Sequence, residues 1–206
     1  MLNDVPLKHV SSYKYLGVLI TSDSMWSSHI SKICNRTRRL VGLIYRKFYK
    51  YSSSETLLKL YTSFIRPHME YACIAWDPYL KKDITALEDV QKFALKMCTK
   101  SWDQDYQTLL TITNLPSLES RRHQAKLCHL FKIANAQTYF PDTPFTNRTH
   151  HYAVRSSREH SLMPIHFHSN QFGKSYFPST INAWNSLPSS THSSTSIAAF
   201  KFALNH

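Results

Sequence analysis

Carboxylates are the first residues to test for chemistry, because phosphoryl transfer by two metal ions needs several of them converging on one point. The 206-residue chain has 13 acids, and two close pairs stand out. Asp103 and Asp105 lie in "WDQDY", just ahead of a helical pattern, where an Asp is usually an N-cap. Glu88 and Asp89 occupy adjacent helical positions, which point about 100° apart and so diverge. Neither pair makes a polymerase or nuclease centre. A hydrolase needs a nucleophile beside a base; Ser and His abound, but no G-x-S-x-G elbow occurs. His150, His151, His160, His166 and His168 are the candidates for a metal cluster. Their spacing matches no helical His pair, although His166 and His168 would share one face of a strand and bind metal weakly there. Cys34, Cys73, Cys98 and Cys128 include no C-x-x-C pair, which argues against zinc. Each sits in an apolar periodic segment, the setting of a reduced, buried thiol.

What remains is charge. The formal net charge is +12 and the pI is near 9.6, a balance that favours a polyanionic partner, most often nucleic acid. Residues 1–50 hold nine Lys/Arg against two acids, a local net of +7. Lys32, Arg36, Arg39, Arg46 and Lys50 fall within about 80° of one another at helical spacing. They lie opposite an apolar set of Ile30, Ile33, Cys34, Leu40, Val41, Ile44, Tyr45 and Phe48. The cation line is about 27 Å long at about 1.5 Å per residue. A solvated helix usually mixes signs in i,i+4 pairs, yet no acid occurs from Lys32 to Lys50. With Lys14 upstream and Tyr45, Phe48, Tyr49 and Tyr51 beside it, this face suits phosphate contact and base or sugar stacking.

The elements that must position these residues are mostly helices, so the fold class is mainly α (α+β). Two short strands are expected near Lys8–Val10 and Tyr15–Ile20, with Gly17 marking a bulge or a close backbone approach. The cation-bearing helix starts near Ser27 or Ser28. A second, capped by Ser53 or Ser54, buries Leu57, Leu58, Tyr61, Phe64 and Ile65; Pro67 must kink or end it near Arg66. A third runs from about Lys82 to Thr99 on Ile84, Leu87, Val90, Phe93, Ala94 and Met97. A short helix near Tyr106–Ile112 precedes a longer one, Ser117 to about Ala136, whose inner face is Leu127, Leu130, Phe131 and Ala134. Residues 143–206 then hold 12 Ser, 7 His and one acid. Residues 142–170 read as extended or irregular, followed by short helices near Tyr176–Asn185 and Thr195–Leu204. The expected organisation is a β-hairpin over 1–24, a helical bundle over 25–140 and a looser Ser/His-rich C-terminal module over 141–206. With no signal peptide and no apolar run of about 18 residues, neither secretion nor a membrane span is expected. The expected location is intracellular, nuclear or cytoplasmic.

"YKYLGVLI", then "WSSHISKICNRTRRLVGLIYRKF", then "LYTSFIRPHMEYACIAWDPYLKKDITALEDVQKFALKM" form an ordered series. It resembles the post-catalytic part of reverse transcriptases from non-LTR (LINE-type) retrotransposons, and "FPSTINAWNSLP" with "FKFAL" resembles their C-terminal end. The resemblance implies that Tyr15, Leu16 and Gly17 belong to the primer-grip hairpin at the end of the palm. It implies that the helices form the thumb, which holds the template–primer duplex. The family's Tyr-x-Asp-Asp box lies upstream of that hairpin, whereas ten residues precede Ser11 here with one acid, Asp4. The implied RNA-directed DNA polymerase activity is therefore not expected of this chain alone. No cofactor is expected in it, Mg²⁺ belonging to the intact enzyme. A Gly without Cβ would let a grip turn approach a sugar–phosphate backbone. Two other readings stay open: a free-standing basic RNA- or DNA-binding protein, and a decayed retroelement remnant without selected function.

Overall fold

The computed structural model describes residues 9–138, 140 and 161–204. It is mainly helical, with one short antiparallel hairpin at the N-terminal end. The chain divides into two compact units, Met1–Glu119 and Ser120–His206. The hairpin thus shares a unit with the helices next to it in the chain.

In the first unit, β1 (Ser12–Tyr15) pairs with β2 (Val18–Thr21), Tyr15 opposite Val18 and Tyr13 opposite Ile20. β2 falls on the second strand expected from the sequence, while β1 lies later in the chain than the first, because Leu16 and Gly17 make the turn. Both have positive φ, 45° and 88°, as the two central residues of a type I′ turn require. Gly17 is therefore a turn glycine rather than a bulge.

α1 (Ser27–Phe48) buries His29, Ile30, Cys34, Thr37, Val41 and Ile44, an alternating spacing of three and four that keeps one stripe inward. It packs on α5 (Lys81–Thr99), and β2 packs on α1. Ser27 does not cap α1. Its hydroxyl instead donates to the buried Asp83 carboxylate on α5 at 2.6 Å.

α2 (Ser54–Leu60) is capped by Ser53, which accepts from the Thr56 N–H. It continues through a π-helical turn, Tyr61–Ile65, into α3 (Arg66–Glu70), which contains Pro67. Pro67 has no N–H and its ring crowds the preceding turn; the wider π turn lets the helix pass through it. The extra residue in that turn shifts the facing of the helix. Tyr61, Ile65 and Met69 are fully buried, while Phe64 is exposed, contrary to its expected inward position. A left-handed Ala72 leads into α4 (Cys73–Trp76).

α6 (Tyr106–Thr113) is capped by Asp105, which accepts from the Thr108 N–H at 3.3 Å. α7 (Leu118–Ala134) comes next. Around its later turns the second unit builds a core from Leu127, Leu130, Phe131, Leu162, Ile181, Trp184 and Phe200. α8 (Asn170–Gly173), α9 (Tyr176–Ser186), α10 (Ser189–His192) and α11 (Ile197–Ala203) supply the rest. Ile133, not Ala134, is the buried residue at the end of α7. Both expected short helices are present; α8 and α10, single turns, are additions. Most of the segment read as irregular, 142–170, lies outside the described residues. No helix among the described residues is long and apolar enough to cross a membrane.

Candidate nucleic-acid interface

Lys32, Arg36, Arg39, Arg46 and Lys50 are all exposed. All but Lys50, two residues beyond the helix, lie on α1 itself. Among the described residues none of the five has a carboxylate within ion-pair distance; the pairs that form are Lys59 with Glu55 and Arg66 with Glu70. By helical angle Leu43, 48% exposed, stands among the cations, so the stripe has one apolar member. The division is therefore a rigid helix with an inward apolar face and an outward cationic one. Such a face can hold a polyanion through charge and backbone shape rather than base sequence.

Lys14, Tyr15, Leu16 and Gly17 form a separate group on the hairpin. Lys14 is exposed on the hairpin face opposite that of Tyr15. The tip is tied to the helical unit by Tyr71, whose hydroxyl donates to the Leu16 carbonyl at 2.9 Å. A Cβ on Gly17 would sit 3.4 Å from the Tyr71 ring, an ordinary contact; the need for glycine here is its positive φ. Within β2 the Leu19 N–H donates to His29 Nδ1 at 3.2 Å. Val18 and Leu19 are buried, whereas Tyr13, Tyr15 and Leu16 are 62%, 59% and 72% exposed. One face of the hairpin is thus apolar and open.

Two of the acids weighed for metal chemistry, Glu88 and Asp105, serve other ends. The Glu88 carboxylate accepts from the Tyr106 hydroxyl, from Leu118 N–H at 3.2 Å and from Glu119 N–H at 2.7 Å. It therefore satisfies the first free N–H groups of α7, where a negative charge is favourable. Asp105 caps α6, and the Thr108 hydrogen bond holds its carboxyl below the usual range. These residues do not fit a divalent-ion site. His166 and His168 are exposed in an irregular segment and not on a strand; His150, His151 and His160 lie outside the described residues. All four cysteines are buried, and burial pushes the Cys98 thiol up to about 12. They are structural thiols.

Two groups escape sequence reasoning. The first is a polar chain inside the helical unit. The Tyr61 hydroxyl donates to Gln91 Oε1 at 2.5 Å, and Gln91 Nε2 donates to the Tyr106 hydroxyl and the Pro116 carbonyl, both at 3.0 Å. Its signal is Gln91, a fully buried amide at an apolar helical position. Burial raises both tyrosine pKa values, with the Glu88 hydrogen bond adding to the rise at Tyr106. The second is a ring cluster at the end of α1. Tyr45, Tyr49, Trp102 and Phe93 meet there. Tyr45 and Phe93, expected to point inward, are 42% and 43% exposed. The signal is Trp102, an indole in the polar loop "SWDQD".

Set against family models, curated proteins and solved structures, the chain matches none.

Proposed function

We propose that this chain is the primer-grip hairpin, thumb-like helices and C-terminal module of a LINE-type reverse transcriptase. In this reading it holds the template–primer backbone on the cationic face of α1 and has no polymerase activity alone. The observation that carries the proposal is the division of α1: six residues buried on one stripe, and five exposed cations without an acidic partner among the described residues on the other. The ordered motif series supplies the family.

Affinity for a 20-base-pair RNA–DNA duplex, measured across salt, tests it. Five phosphate contacts give a log–log slope near −4.5 at about −0.9 per contact, so affinity drops roughly 500-fold from 50 to 200 mM salt. Reversing Arg36, Arg39 and Arg46 to Glu weakens binding and reduces the slope by about 3. An unchanged slope removes α1 from the interface. Primer extension by the purified chain with dNTPs and Mg²⁺ would overturn the absence of catalysis.

One observation favours the second reading, a free-standing nucleic-acid-binding protein. The hairpin is held by its own unit, through Leu19 to His29 and Tyr71 to Leu16, without a palm. Immunoblotting of the native polypeptide separates the two: a product near 24.0 kDa supports the free-standing protein, and a much larger one the reverse transcriptase.

A further inference from the structure

We infer that the rings at the end of α1 and just past α5 form a stacking platform for the unpaired bases of a single-stranded nucleic acid. The inference rests on the nucleic-acid reading above and adds a second ligand form at a neighbouring surface.

Four rings meet there. Tyr45 and Tyr49 lie one turn apart on and just beyond α1, with centroids 4.5 Å apart. Trp102 stands edge-on to Tyr45 at 6.3 Å and 83°, and Phe93 is 5.8 Å from Trp102. The Trp102 indole N–H donates to the Tyr49 hydroxyl at 3.2 Å, which fixes the indole's orientation. Rings that meet in a folded chain usually finish in its core. Phe131, Trp184 and Phe200 do so, at 1%, 4% and 0% exposure, whereas Tyr45, Phe93 and Trp102 keep 42%, 43% and 38%. Each of these three surface rings thus keeps a large share of its area in water.

Charge identifies the ligand. The segments that carry the rings, 45–51 and 89–103, hold six Lys/Arg against Asp89 and Asp103. The cations are anchored around the rings. Lys100 Nζ lies 5.4 Å over the Tyr49 ring while donating to the Ser52 carbonyl, and Lys96 Nζ donates to the Trp102 carbonyl. A cationic ligand is repelled by this rim, and a neutral proline-rich peptide makes no use of it. A polyanion with flat π faces uses both. Bases stack on rings without sequence preference, and cations take the phosphates. Arg46 is three residues from Tyr49 and four from Lys50, so it neighbours both on the helical surface. It joins the platform to the duplex-binding stripe.

The test uses the full chain, fluorescein-labelled oligo(dT)20 and a 20-base-pair duplex. Trp102→Ala is expected to weaken oligo(dT) binding about tenfold or more and to leave duplex binding within about twofold. Tyr45→Leu, which keeps apolar volume but removes a π face, weakens single-strand binding by a smaller factor, so the inference does not hang on one variant's folding. Tryptophan fluorescence adds a readout that packing does not move. Oligo(dT) quenches the wild-type chain strongly and Trp102→Phe only weakly, Trp26, Trp76 and Trp184 being common to both. Wild-type oligo(dT) affinity in both Trp102→Ala and Tyr45→Leu overturns the platform. If the Arg36, Arg39 and Arg46 reversals still weaken duplex binding, the stripe survives that result. No binding of either probe by the wild-type chain overturns both.

Discussion

The core of Ser120–His206 is closed by rings: Phe131 stacks on Phe200 at 4.5 Å, and Trp184 lies 5.6 Å from Phe200 and 6.4 Å from Phe131. The helices of Met1–Glu119 are instead joined by a directed polar chain, Tyr61 to Gln91 to Tyr106 to Glu88, ending on the first N–H groups of α7. Stacked rings tolerate sliding; a chain of hydrogen bonds fixes register, because each bond is directional and an orphan is costly. The unit with fixed register is also the one whose outer helix carries an aligned charge pattern. Residues 51–119 hold seven Lys/Arg against nine acids, so the basic excess of that unit comes from the hairpin and α1. If α1 is a binding face, its cations need set spacings, and the hydrogen-bonded scaffold behind them supplies that.

The contrast can be broken from either side. Phe131→Ala is the largest single loss, about 3–5 kcal/mol for a buried aromatic truncation, read by urea titration. Hydrogen-exchange protection should fall mainly in 120–204. Gln91→Leu comes next at about 2–4 kcal/mol, because the Tyr61 hydroxyl and the Pro116 carbonyl each lose a partner at roughly 1–2 kcal/mol. Here the units should differ in kind. Adding Tyr61→Phe to Gln91→Leu removes one orphan and restores part of the loss, whereas no second truncation near Phe131 fills its cavity. A double variant no more stable than Gln91→Leu alone would mean that the network contributes packing rather than pairing.

Acid sharpens the comparison, since each unit holds a half-buried or buried histidine. Burial, with Lys32 adding, lowers the His29 pKa; burial, with Lys132 adding, lowers that of His129. His29 accepts the Leu19 N–H and abuts Trp76 at 5.4 Å, and His129 is hydrogen-bonded to the Tyr176 hydroxyl at 2.7 Å. In the folded chain both rings therefore take up a proton only at lower pH than in the unfolded chain, which binds one near pH 6.5. Below that pH the unfolded state holds more protons, so stability is full above about pH 7 and declines as pH drops through 6.5. His29→Asn should flatten the pH dependence of exchange at β2 amides and leave that of α9 unchanged; His129→Gln should do the reverse. Equal flattening at both places by either variant would show that the two units do not respond separately.

How much of this is legible beforehand differs by feature. The split of α1 is legible, because cations recurring at helical spacing, broken once by Leu43, with no acid among them, are a local pattern. So are Asp105 as a cap and the four buried thiols. The outward Phe64 is not. Periodicity assumes 3.6 residues per turn, and the π turn forced by Pro67 adds one residue and rotates the rest of the helix. Tyr45 and Phe93 mislead for another reason: apolar residues at helical spacing are read as inward, and only the fold brings Trp102 over Tyr45 from 57 positions away. The same holds for Glu88, whose partners come from α6 and α7.

The smallest expected effect is at the hairpin tip, and it separates a folding role from a binding one. Leu16 has φ of 45°, a conformation that costs an L-residue with a bulky side chain about 1–2 kcal/mol. Asn tolerates it far better, and Asn-Gly is the favoured type I′ pair. Leu16→Asn should therefore raise stability by about 0.5–1 kcal/mol, since the side chain is 72% exposed and gives up little burial. The Tyr71 hydrogen bond uses the Leu16 backbone carbonyl and survives the change. If Leu16 serves only the turn, the more stable variant binds a template–primer duplex as the wild type does. If it is part of a primer grip, as the motif "YKYLGVLI" implies, the variant is more stable and binds the duplex less well. A stability gain with unchanged duplex affinity would remove Leu16 from the interface and leave Tyr15 and Lys14 as the hairpin's remaining candidates.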